Sequence, residues 1–266
     1  MRPLSARRPP RRREGQPVST WKRWWWVILL LPLAAGGVFA VWAESGPSPM
    51  PEAQVALETP AADDGILVDR GRWFTFRPTQ EEVSTGLVIY PGGRVDPAAY
   101  APAARAIADE GYLVVIVPMP LDLAFLAPQR ADGIQQAYPM IEHWAVGGHS
   151  LGGAMAARFA HRHPAAVDGL LLWAAYPAQS DDLSQYEVEV VSIYGTSDGL
   201  ATIDDIEASR PLLPTDTIWV SIVGGNHAQF GWYGPQQGDL PATISREAQQ
   251  QQVIDGSLRL LAALES

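Results

Sequence analysis

From Leu87 onward the chain alternates short, wholly apolar runs with stretches whose apolar positions recur every three to four residues. The runs Leu87 to Tyr90, Tyr112 to Val117, Trp144 to Val146, Leu170 to Ala174, Val188 to Tyr194 and Thr217 to Val223 read as strands. Residues 98–110, 154–161 and 245–264 read as helices, the first of them ended by Gly111. Ile66-Leu67-Val68 and Trp73 to Phe76 add two opening strands. Strands that are apolar on both faces belong to a sheet covered on both faces, and their alternation with helices makes that sheet mostly parallel. The predicted body, residues 66–266, is therefore a doubly wound α/β domain. In such a domain ligands bind at the carboxyl ends of the strands.

Two segments before the body follow a different pattern. Residues 24–43, WWWVILLLPLAAGGVFAVWA, carry no charge over about twenty positions, enough to cross the hydrocarbon layer of a bilayer as a helix. Trp24-Trp25-Trp26 suits the interface at one end and Trp42 at the other. Eight of the nineteen basic residues lie in positions 1–23, whereas the first charges after the segment are acidic. This bias predicts a single-pass cell-membrane anchor with a cytoplasmic N-terminus and an extracytoplasmic body. Two other readings stay open. One is secretion after cleavage of a signal peptide at Val41-Trp42-Ala43, and the other is a buried core helix, which the flanking charge step disfavours. Residues 44–65, rich in Pro, Ala and acids, read as an exposed, extended tether.

Charge and composition narrow the function. The net charge of −10 conceals a body far more acidic than the whole, because only eleven basic residues oppose 28 acids after position 23. Phosphate backbones repel such a surface, so no nucleic-acid partner is expected. The chain has no cysteine, which removes disulfides, thiolate nucleophiles and cysteine-based metal sites. Neither a metal nor an organic cofactor is expected.

The candidate chemistry sits in four loops. Gly147-Gly148-His149-Ser150-Leu151-Gly152-Gly153 joins a strand to a helix of small residues, the context in which a Gly-x-Ser-x-Gly serine becomes an exposed nucleophile. The plain alternative is a glycine-rich turn whose serine caps the helix. Of five histidines, four stand badly for a base. His149 adjoins the serine but should point to the other side of the strand, in a packing role. His143 precedes its strand, and His161 and His163 end the following helix. His227, in Gly225-Asn226-His227-Ala228-Gln229-Phe230-Gly231 after the final strand, is the expected base. Asp198, in Gly195-Thr196-Ser197-Asp198-Gly199 after the preceding strand, is the expected acid, with Asp181 or Asp182 as the alternative. Tyr90-Pro91-Gly92-Gly93 supplies a second oxyanion donor beside the Leu151 amide, namely Gly93 N–H, or else Arg94 N–H.

These four motifs, in this order, resemble the α/β-hydrolases, and most closely the small capless group related to dienelactone hydrolases and bacterial esterase-like proteins. The resemblance spans residues 66–264. It implies an eight-stranded core and hydrolysis through an acyl-enzyme, with the order Ser150, Asp198, His227. One departure is the nucleophile, which is cysteine in dienelactone hydrolases and Ser150 here, so lactone specificity does not carry over. About a dozen residues separate the strand ending near Ala175 from the next, which leaves no room for a large cap domain. Arg94, Met119, Phe125, Phe230 and Trp232 are the expected substrate walls. The expected activity is that of a membrane-anchored serine esterase on a small-molecule ester. An amidase, peptidase or acyltransferase on the same triad competes with it, as does an inactive binding module.

Overall fold

The computed structural model describes residues 25–79 and 82–266. The chain divides into two units, one reaching Val41 and the other running from Trp42 to Ser266. A helix, α1 (Trp25–Glu44), contains Pro32, and its Ile28, Leu31, Leu33, Val38 and Val41 are exposed. The expected membrane span starts at Trp24, which with the basic stretch 1–23 lies outside the described residues. Among the described residues no helix is long and apolar enough to cross a membrane.

The second unit is built on eight strands: β1 (Ile66–Arg70), β2 (Phe74–Pro78), β3 (Thr85–Tyr90), β4 (Leu113–Ile116), β5 (His143–His149), β6 (Gly169–Trp173), β7 (Glu189–Gly195) and β8 (Ile218–Ile222). Their order in the sheet is β1-β2-β4-β3-β5-β6-β7-β8. Every pairing from β4 across to β8 is parallel, and only β2, antiparallel to both β1 and β4, runs against the rest. All six residues of β3 are buried. Leu87 and Ile89 enter one core layer, while Val88 and Tyr90 enter the other. The period-two alternation of a strand thus feeds both faces at once. One layer is closed by α4 (Ala101–Asp109) and α8 (Arg246–Leu264), the other by α5 (Arg130–Ala137) and α6 (Leu151–Arg162). Between β6 and β7 the chain forms no helix, and no cap domain is inserted there among the described residues. One further helix, α7 (Ile203–Ser209), begins at a capping box between Thr202 and Asp205.

Residues 44–65 are not the exposed tether that their composition suggests. Pro51 starts a helix, α2 (Pro51–Glu58), where its missing N–H costs nothing. Ala53, Ala56 and Leu57 make one buried face on it. The spacing is helical, but eight residues show it only once, too short a run to stand out as a period. A single turn follows, α3 (Ala61–Asp64). Arg105 of α4 holds the two together: its guanidinium donates to Ala56 O at 2.7 Å, to Thr59 O at 3.0 Å and, in a fork, to both carboxylate oxygens of Asp64. Such bidentate pairing fixes geometry as well as adding attraction, and it holds the Asp64 carboxyl below its ordinary value. Further upstream, Met50 N–H donates to Trp232 O at 2.8 Å, and Pro49 bridges to Tyr233.

Candidate active site

The strand-to-helix turn between β5 and α6 carries Ser150 in a strained backbone conformation, φ 53° and ψ −122°. A left-handed φ is unfavourable for any residue with a Cβ and persists only where surrounding contacts impose it. Here Ser150 N–H donates to Trp173 O, at the end of β6, at 2.9 Å. Leu151 opens α6 directly after the serine, so its amide is one of the helix's unbonded N-terminal donors.

Asp198 and His227 lie on the loops after β7 and β8, at the same carboxyl edge as Ser150. Asp198 Oδ1 accepts from the Leu200 and Ala201 amides at 2.8 and 2.7 Å. Its Oδ2 meets His227 Nδ1 at 2.8 Å, and both side chains are buried. A carboxylate oxygen only accepts, so Nδ1 carries the proton and Nε2 presents its lone pair. Nε2 is buried and makes no hydrogen bond among the described residues. Hydrogen bonds between a nucleophile and its base often close only when substrate is bound.

The oxyanion loop follows β3. Gly92 N–H donates to Tyr100 Oη at 2.9 Å, and Arg94 N–H donates to Asp122 O at 2.8 Å. The Arg94 amide is therefore taken, which removes it as an alternative oxyanion donor. The Gly93 amide between them has no acceptor among the described residues. A Cβ placed on Gly93 would stand 3.1 Å from Leu151 Cδ2, so the two expected oxyanion donors are neighbours.

His149 is fully buried, with its ring centroid 4.4 Å from that of His227. Tyr100 Oη, which accepts from Gly92, lies 2.9 Å from His149 Nδ1 and donates to it. Phe230 stacks on the other side, 5.7 Å away at 14°. Burial first, and the neighbouring His227 second, push the His149 pKa well below 6.5 and keep the ring neutral. His149 thus packs, as its strand position implies, but it packs on His227, the expected base. His161 and His163, at the far end of α6, lie beside Tyr186 and Phe159 instead.

The expected substrate walls fare differently. Arg94 has its guanidinium on Trp42 O and Ser45 Oγ, both at 3.0 Å, and over the Trp42 ring at 4.3 Å. Phe230 is fully buried against His149, Met119 is buried in the core layer beneath β4, and Trp232 lies beneath Arg246. Phe125 is exposed, outside the hollow at the serine. That hollow is lined by Ser150, Leu151, Ala154, Ala174, Ala175, Tyr176, Leu200 and Ala201. Phe230 and Trp232 look like walls in the sequence because they share the histidine's loop, but Phe230 is turned into the core against His149 and Trp232 is half-buried under Arg246.

Side chains that sequence reasoning did not single out hold the His227 loop. Asp239 accepts from His227 N–H at 3.2 Å and from Ala228 N–H at 2.9 Å. It also accepts from Gly199 N–H at 3.2 Å, on the turn that carries Asp198. Gln249 of α8 brackets Asn226, accepting from its N–H at 3.0 Å and donating to its carbonyl at 2.7 Å. Arg246 donates to the carbonyls of Ala228, Gly231 and Tyr233. In the sequence Asp239 is one more turn carboxylate and Gln249 part of a polar helix start, so no local signal marks either. Asp239→Ala should lower kcat by roughly 100-fold, the scale of a 1 Å displacement of a reacting group. Steady-state kinetics on protein shown to be folded by its near-ultraviolet circular dichroism checks this.

Comparison with known proteins agrees with the fold. Residues 86–251 match the model of the alpha/beta hydrolase family. Among solved structures, a CIB-like hydrolase from Thermoplasma acidophilum superposes with a TM-score of 0.55 at 14% identity, covering 74% of this chain and 100% of that one. The esterase domain of a Rhodothermus marinus protein superposes with a TM-score of 0.52 at 15% identity, covering 74% and 97%. No curated protein sequence matches the chain.

Proposed function

This chain belongs to the α/β-hydrolase family, and from that premise we propose that it is a serine hydrolase that cleaves carboxylic esters through an acyl-enzyme on Ser150. The observation that carries the reading is the buried Asp198–His227 pair, its free Nε2 at the sheet edge where Ser150 stands in its strained turn. In the first half-reaction His227 Nε2 takes the Ser150 proton as Oγ bonds to the ester carbonyl carbon. Asp198 stabilises the imidazolium, and the Leu151 and Gly93 amides hold the oxygen that becomes negative. The tetrahedral intermediate collapses, and Nε2 returns the proton to the departing alcohol. Water then attacks the acyl-enzyme with the same base and restores Ser150.

The esterase domain from Rhodothermus marinus shares the fold and lends the ester reading support by analogy. The test is covalent labelling of the full-length chain with a fluorophosphonate, beside Ser150→Ala. Labelling that maps to Ser150 and disappears in the variant is expected, and labelling that survives the substitution would sink the proposal. We further propose that residues 24–43 anchor the enzyme in a membrane with its catalytic unit outside the cytoplasm. The uncharged run and the basic residues preceding it support this. Release from membranes by detergent but not by high salt is the expected behaviour.

A further inference from the structure

The hollow beside Ser150 encloses about 200 Å³, below the range of roughly 300–1,000 Å³ usual for drug-sized ligands. A hollow below that range suits a short chain rather than a long one. Four alanines, Leu151 and Leu200 form its sides, and Tyr176 supplies its one phenol. Ala174 shares the strained left-handed backbone of Ser150, with φ 44° against 53°. Two such residues facing one small cavity mark a shape imposed by the surrounding fold.

The place of His227 decides which half of an ester the hollow receives. The leaving alcohol must collect its proton from His227 Nε2, so it departs on the histidine side. The hollow touches Ser150 and the oxyanion-donating residue Leu151 but not His227, which is where the acyl chain lies. Its charge preference follows from its surroundings. None of its lining side chains is charged, and the amides of Leu200 and Ala201 on its wall are bonded to the Asp198 carboxylate. Arg94, next to the oxyanion loop, has its guanidinium on Trp42 and Ser45. A carboxylate on the acyl chain would meet a negative neighbour and no free cation from that loop.

We infer that this hollow is the acyl subsite, that it accepts a short, uncharged acyl chain such as acetyl or butyryl rather than octanoyl, and that Leu200 and Ala154 set the limit. The inference rests on the serine esterase reading above. Its test is kcat/KM for the p-nitrophenyl esters of acetate, butyrate, octanoate, laurate and succinate on the full-length chain. Acetate or butyrate should be best, octanoate at least about tenfold poorer, and the anionic succinyl ester at least about tenfold poorer than butyrate. Leu200→Ala, which trims a partly exposed side chain, should raise octanoate relative to butyrate about tenfold. Ala154→Leu should lower butyrate relative to acetate. Octanoate and laurate turned over as fast as butyrate, or an unchanged chain-length profile in both variants, would overturn the size limit. Equal rates for succinyl and butyryl esters would overturn the charge preference. Butyl and octyl fluorophosphonates separate this inference from its premise. No labelling of Ser150 by either defeats the hydrolase reading, whereas equal labelling rates by both defeat only the subsite.

Discussion

His227→Ala should lower kcat for ester hydrolysis by roughly 10⁴- to 10⁶-fold, leaving only the rate that binding and the oxyanion donors support. The loss is that large because, in the proposed mechanism, Nε2 serves every proton transfer in both half-reactions. His149→Phe is the informative partner. Phenylalanine keeps a ring against His227 and stacked on Phe230 but loses the Tyr100 hydrogen bond, a loss of about 1 kcal/mol. Its kcat should stay within about tenfold of the parent. The same variant has a signature in pH. Because burial lowers the His149 pKa below 6.5 in the folded state, the unfolded chain binds more protons there than the folded one. Stability therefore falls as pH drops below about 6.5, and the loss continues down to the folded-state pKa. His149→Phe removes that share of the decline, so its urea midpoint should change less between pH 8 and pH 5. A histidine-149 variant that loses activity as completely as His227→Ala would reverse the assignment of the base.

Gly152→Ala should act on the scaffold and the chemistry together. A Cβ at position 152 would stand 2.1 Å from Tyr90 O and 2.4 Å from Pro91 O, and both are backbone atoms at the end of β3. Neither can swing aside as a side chain would, so α6 must retreat from the strand. Overpacking of this kind costs about 1–3 kcal/mol. The retreat also pulls the Leu151 amide away from Gly93, and a shift near 1 Å is worth about 100-fold in kcat. Urea midpoint and kcat should therefore fall together, and a variant with reduced stability but parental kcat would refute the link.

The sheet was legible because strands buried on both faces must be apolar at every position, a pattern that β3 and β4 carry with nothing else competing. That Ser150, Asp198 and His227 come to one edge was legible because each follows a strand of the same parallel sheet, so chain order alone places their loops together. Asp239 was not, since its role depends on which two turns meet in space. Arg94 misled for a related reason. It follows the oxyanion glycine in sequence, but its left-handed φ of 61° and the nearby Trp42 and Ser45 direct its guanidinium toward the start of the catalytic unit. The helix at residues 51–58 was missed because one repeat of an apolar spacing does not stand above chance.

That last segment changes where the smallest working enzyme begins. Trimming the chain to Ile66 would strip Arg105 of every acceptor it has on Ala56, Thr59 and Asp64, leaving a guanidinium buried without partners, and would remove Trp42 and Ser45 from Arg94. A fragment beginning at Trp42 would keep these contacts, while one beginning near Gly65 would lose them. Residues 42–65 therefore brace α4 and the loop after β3, and the starting point of any fragment decides whether that bracing comes with it.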